Sequence, residues 1–166
     1  MAVAAWEEHL RHFGFSLLAA GLFGLHAGGA MAELEVKRFN PDGFSKPAGY
    51  VQVVTVKGNH KEIYLGGKAG LSADGKVAEG GLGPQARLTF QNIEKALAAA
   101  GAKMTDVIEL QIYIVDLQKQ DPNPAYQAVR DAFPAGFKPV SMVIGVSALA
   151  VPGLLMEVNV KAVVPE

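Results

Sequence analysis

Apolar and polar residues alternate along Val107–Val115, with Ile108, Leu110, Ile112 and Ile114 on one side and Glu109, Gln111 and Tyr113 on the other. A two-residue period of this length predicts a strand with one buried face. Upstream, Val51–Val56 and Ile63–Leu65 are β-rich runs around Lys57-Gly58-Asn59-His60, whose composition predicts a hairpin turn. Pro84 suits the first turn of a helix that continues to Ala100 and stops at Gly101. Leu88, Ile93 and Leu97, flanked by Phe90, make its apolar stripe, and its alanine-rich last turns allow close packing on a sheet. Asn123 is placed to cap a second, short helix with Pro124 at its first position. Tyr126, Val129 and Phe133 form the inner stripe of that helix and Pro134 ends it. Met142–Ser147 and Leu154–Val164 read as two closing strands.

The predicted order is β-β-α-β-α-β-β with antiparallel hairpins, an α+β arrangement of a mixed sheet with two helices packed on one face. Two short helices cover only one sheet face. Val51, Val53, Val143, Leu154, Met156 and Val158 supply more apolar surface than those helices can bury, which predicts association between copies.

The first thirty residues differ from the rest. Phe13 to Leu25 is an uncharged apolar run, followed by small residues through Ala27-Gly28-Gly29-Ala30. It is shorter than the roughly 20 residues needed to span a bilayer, so stable membrane insertion of the domain is not expected. Three readings stand: a cleaved export signal, a mis-assigned start with Met31 as the natural one, or an amphipathic anchoring helix. Glu7 and Glu8 against Arg11 deprive the segment of the positive charge a signal carries at its start. The first reading places the protein in the periplasm or outside the cell and the second in the cytoplasm. The domain proper is expected over residues 31–166.

Charge and composition remove several chemistries. The chain carries a formal net charge of −1 and no basic run, which gives nucleic-acid binding no support. With no cysteine, disulfides, thiolate nucleophiles and Cys-based metal sites are excluded. Of the four histidines, His9, His12 and His26 lie in the N-terminal segment and His60 sits in the predicted turn, so neither a Ser-His-Asp triad nor a metal site is expected. The glycine-rich stretch from Gly66 to Gly83 lacks both the Walker ending and a strand-to-helix GxGxxG, and reads as loop. No cofactor is implied.

Six pieces, taken in order, resemble the RidA/YjgF family of enamine and imine deaminases. They are Ala48-Gly49-Tyr50-Val51-Gln52, Tyr64-Leu65-Gly66-Gly67, and the helix from Gln85 through Ile93. Ile114-Val115-Asp116-Leu117, Asn123-Pro124-Ala125-Tyr126 and Gly153-Leu154-Leu155-Met156-Glu157-Val158 complete the set. The resemblance runs from Tyr50 to Val164. It implies a chorismate-mutase-like fold, a homotrimer whose three sheets face a central barrel, and clefts between subunits that bind small carboxylic acids. There, 2-imino acids are hydrolysed to 2-oxo acids and ammonia.

The same resemblance assigns site residues. Tyr50 lines the cleft, Gly67 offers backbone polar groups, Asn123 supports the cleft and Glu157 positions or activates water. The family's carboxylate-binding arginine falls on Val140, which cannot make paired charged hydrogen bonds. Lys138, two positions earlier, and Lys68, after the Gly-Gly pair, are the residues whose charge would compensate. Each has a plainer reading. Glu157 fits a solvated strand face, Tyr50 cross-strand packing, Asn123 a helix cap, Gly67 a bulge, and the lysines ordinary surface. Two functions follow: a hydrolase of C=N bonds whose recognition does not use arginine, or a non-catalytic small-molecule-binding or regulatory trimer. Ribonuclease activity, attached to relatives, finds neither a basic patch nor a histidine pair here.

Overall fold

The computed structural model describes residues 32–166; the expectations placed on residues 1–30 lie outside the described residues. Its elements run β1 (Glu35–Phe39), β2 (Val53–Lys57), β3 (His60–Ala69), α1 (Leu82–Ala99), β4 (Val107–Val115), α2 (Asn123–Ala132), β5 (Val140–Val146) and β6 (Met156–Pro165). A single 3-10 turn, Met104–Asp106, leads into β4. The main sheet has the order β3-β6-β4-β5, and β1 and β2 form a separate antiparallel pair. The α+β class with two helices holds.

The connections differ from the predicted hairpins. β6, last in the chain, inserts antiparallel between β3 and β4, while β5 runs parallel to β4 with α2 as the crossover. The turn at Gly58-Asn59 is present, with Gly58 at φ +99, but β2 pairs with β1 and not with β3. The incoming chain explains this. A Cβ at Gly58 would meet the carbonyl of Glu33 at 2.3 Å, and the Asn59 amide donates to the Ala32 carbonyl at 3.0 Å. Residues 32–33 thus occupy the turn and steer the chain into β1, a strand too short and too charged to announce itself.

The core lies between the sheet and the helices. Leu110, Ile112 and Ile114 of β4 join Met156, Val158 and Val160 of β6 in one cluster with the buried side of α1. The buried stripe of α1 is Leu82, Ala86, Phe90, Ile93 and Leu97, while Leu88 is only half-buried. The helix begins two residues before Pro84, and Gly101 at φ +78 ends it as expected. Asn123 does not cap α2. It is the first helical residue, the cap position is Pro122, and the Asn123 amide donates to Asp121 Oδ1 at 3.0 Å. Ala125 and Ala128, and not the large residues alone, are the buried positions of α2, because small side chains let it approach α1 closely.

The helix-free sheet face also departs from expectation. Leu154, Met156 and Val158 are buried on the helix side or at its margin, so they add nothing to the open face. On β3, β6 and β4 that face carries Tyr64, Glu109, Gln111, Tyr113, Glu157, Asn159 and Lys161 and is polar, while β5 adds Val140, Met142 and Ile144 to it. The apolar sheet surface expected to drive association is therefore confined to β5 and does not extend over β6. Apart from Tyr64, the exposed large apolar side chains of the main sheet are Met142, Val143 and Ile144, all on the edge strand β5.

Candidate functional site

The predicted site residues gather at two opposite ends of the sheet. At one end the β3–β6 register shifts between Leu65 and Lys68, and Gly67 sits inside this bulge. A Cβ on Gly67 would fall 1.6 Å from Glu157 Oε1 and 2.5 Å from its Cδ, so the carboxylate lies directly over bare backbone. Close approach, and no left-handed conformation, is what requires glycine here. Glu157 is half-buried, stands opposite Tyr113 of β4, and forms no ion pair with a described residue. Lys68 is half-buried beside the bulge.

A buried amide fixes this end. Gln85 of α1, only 3% exposed, donates from Nε2 to the Gly153 carbonyl at 2.9 Å and accepts from the Leu155 amide at 2.8 Å. Leu155 is two residues before Glu157. Gly70, just beyond β3, packs so tightly that a Cβ there would lie 2.6 Å from Gln85 Cα. One side chain and one helix turn thus lock both strands that carry Gly67 and Glu157. Asn123 belongs to the same end. It is exposed, and its neighbour Pro124 packs against Gly83 in the first turn of α1.

At the other end Val140 opens β5, directly across from Glu109 of β4. The Val51 amide donates to the Pro139 carbonyl at 3.1 Å, which brings Tyr50, 36% exposed, beside the start of β5. Lys138 donates from Nζ to the Pro47 carbonyl at 3.1 Å, so its charge is turned onto the loop that leads to Tyr50. Tyr50, Lys138 and Val140 therefore form one group, and Gly67, Lys68, Asn123 and Glu157 another.

The two groups do not meet within one chain. Val140 faces Glu109 and Glu157 faces Tyr113, four residues further along β4 and two strands across. At ~3.3 Å per residue and ~4.8 Å per strand, their backbones stand roughly 16 Å apart on the same open face. A small acid spans about a third of that. Between the groups lies a cavity of 270 Å³ lined by Tyr64, Gly66, Glu109, Gln111, Asn159 and Lys161, among others.

Two charge arrangements escape a reading of the sequence. Lys161 pairs with Glu62 at 2.8 Å under the Tyr64 ring, and Tyr64 also donates to Glu62. The hydrogen bond from Lys161 holds the Glu62 carboxyl below its ordinary range, helped by Tyr64, and Glu62 in turn raises the Lys161 ammonium. Arg38 of β1 lies 4.5 Å over the Phe137 ring and donates to the Val107 carbonyl at 3.1 Å. Burial lowers its pKa, partly offset by Asp106. Phe137 stacks on Phe133 at the end of α2, so this guanidinium lies on the helix side and is no substitute for an arginine at position 140. No local sequence pattern marks Arg38, whose partners are remote in the chain.

A family model described as Endoribonuclease L-PSP matches residues 43–164. The chain belongs to this family, the RidA/YjgF family. A RutC family protein of Aquifex aeolicus is 31% identical over 103 residues, 60% of this chain and 77% of that protein. A 2-iminobutanoate/2-iminopropanoate deaminase of Bos taurus is 32% identical over 89 residues, 52% of this chain and 63% of that protein, less than two thirds of its length. Among solved structures, the Rid-family protein YyfB of Yersinia pestis, of unknown function, superposes with a TM-score of 0.70 at 24% identity. That match covers 78% of this chain and 98% of the other, and it bears on the Rid fold alone. No described helix is long and apolar enough to cross a membrane, and no three described His, Asp or Glu side chains are grouped to hold a metal ion.

Proposed function

We propose that this RidA-family chain hydrolyses a C=N bond of a small imine or enamine in a cleft completed by a second copy of itself, as part of a homotrimer. Glu157 activates the water, and the Gly67 backbone orients the ligand with Tyr50 and Asn123. The observation that carries this reading is the Glu157 carboxylate lying on the bare backbone of Gly67. A general base must stand at the ligand and be left free of competing cations; Glu157 lies against the Gly67 backbone and forms no ion pair with a described residue. The separation of roughly 16 Å between the two residue groups supports a shared cleft, since one copy cannot enclose a small ligand with both. Val140 removes the paired hydrogen bonds by which the family holds a carboxylate, an interaction of a few kcal/mol and hence orders of magnitude in affinity.

The test is to generate 2-iminobutanoate and other small imines in situ with an oxidase and to follow their decay. Faster decay with the protein, reduced about 10²–10⁴-fold by Glu157→Gln, is the expected result. Decay at the uncatalysed rate for every imine tried counts against it. A second reading, a non-catalytic small-molecule-binding or regulatory trimer, draws on Val140 alone. Val140→Arg separates the two: imine hydrolysis gained by that change in an inactive parent favours the binding role.

A further inference from the structure

Resting on the hydrolase reading, we infer that the ligand end of the cleft selects a cationic iminium without a carboxylate, with Glu109 as its counter-ion. The register sets Glu109 directly across from Val140, and paired residues on neighbouring strands project to the same face. Two facts put Glu109 on the open face. Its chain neighbours Ile108 and Leu110 are buried, and Gln111, two residues on, donates from Nε2 to Glu109 Oε1 at 2.9 Å. The position that faces residue 140 is therefore an oriented carboxylate.

Its charge is not neutralised nearby. Lys161 stands across from Glu109 on β6, yet its ammonium is committed to Glu62 at 2.8 Å and to the Tyr64 ring. Lys138 donates to the Pro47 carbonyl, and Arg38 is held on the helix side by Phe137 and Val107. Glu109 makes no ion pair with a described residue. With valine at 140 and this carboxylate beside it, an anionic substrate meets repulsion and a cation meets a partner.

The reaction balances without a further reagent. Water oxygen bonds to the carbon of the protonated C=N group while Glu157 takes a proton. The proton then passes to nitrogen, the C–N bond breaks, and a carbonyl compound and ammonium leave. An upstream two-electron oxidation of a primary amine is the class of reaction that supplies such a substrate.

Two substrates that differ only in the carboxylate provide the test. Propan-1-imine is made from propylamine with an amine oxidase, and 2-iminobutanoate from 2-aminobutanoate with an amino-acid oxidase; each is followed by semicarbazone trapping. The full-length protein is expected to speed decay of propan-1-imine at least about tenfold more than that of 2-iminobutanoate. The isosteric Glu109→Gln should raise KM for propan-1-imine roughly five- to tenfold with kcat little changed, and Glu109→Gln with Val140→Arg should reverse the preference. A parent that prefers 2-iminobutanoate overturns this inference and leaves the hydrolase reading standing. Hydrolysis of neither overturns both. If Glu109→Gln leaves both KM values unchanged while its oligomeric state and circular dichroism match the parent, Glu109 is not the counter-ion and the inference fails.

Discussion

The two ends of the sheet are built by different means. The Gly67–Glu157 end is clamped by a buried amide, by the contact of Gly70 with α1 and by the bulge itself. The Tyr50–Val140 end is joined by single contacts, Val51 to Pro139 and Lys138 to Pro47, with Arg38 bracing the β1–β2 pair from the helix side. Chemistry that depends on placing one carboxylate against water tolerates little movement. Recognition of a ligand's far end tolerates replacement of a side chain. On the proposed reading the rigid end carries the water-activating Glu157, and the loosely joined end carries Val140 with the Glu109 carboxylate directly across from it.

Gln85→Leu tests the rigid end and carries the largest expected cost. It leaves the Gly153 carbonyl and the Leu155 amide without partners, a loss of about 3 kcal/mol and a fall of roughly 10 °C in melting temperature. A change of under about 2 °C in a thermal scan means the clamp is not what holds Glu157 in place. Arg38→Met tests the other end and costs less, about 1–2 kcal/mol, because one hydrogen bond and one ring contact are lost while a buried, unpartnered Nε is relieved. Faster hydrogen exchange confined to β1 and β2 is the accompanying sign. Exchange that spreads through β6 contradicts the division into a rigid and a loose end.

The contrast also explains what is legible in the sequence. The β4 bounds and the stop of α1 at Gly101 follow from period and punctuation, which are local, whereas β5 begins at Val140, two residues before the strand expected from Met142. The insertion of β6 between β3 and β4 is not local, and neither is the choice of β1 over β3 as partner of β2. Both depend on which distant segment reaches an edge first. Asn123 misleads because its amide, and not its side chain, makes the capping contact, with Asp121 as acceptor. Apolar residues near the start of β6 suggest an exposed face because strand alternation gives the period without saying which side the helices take. Glu109 is plainly an outward residue of β4, but its meaning waits on the register that sets it against Val140.

The proposed function requires the two residue groups to complete one cleft across copies. Since the chain has no cysteine, Val140→Cys and Glu157→Cys can be prepared as separate proteins, mixed so that subunits exchange, and treated with a short bis-maleimide. Covalent dimers in the mixture, well above those from either variant alone, are the expected result. A mixture that stays single-chain on a denaturing gel, from a protein that sediments as a monomer, contradicts it.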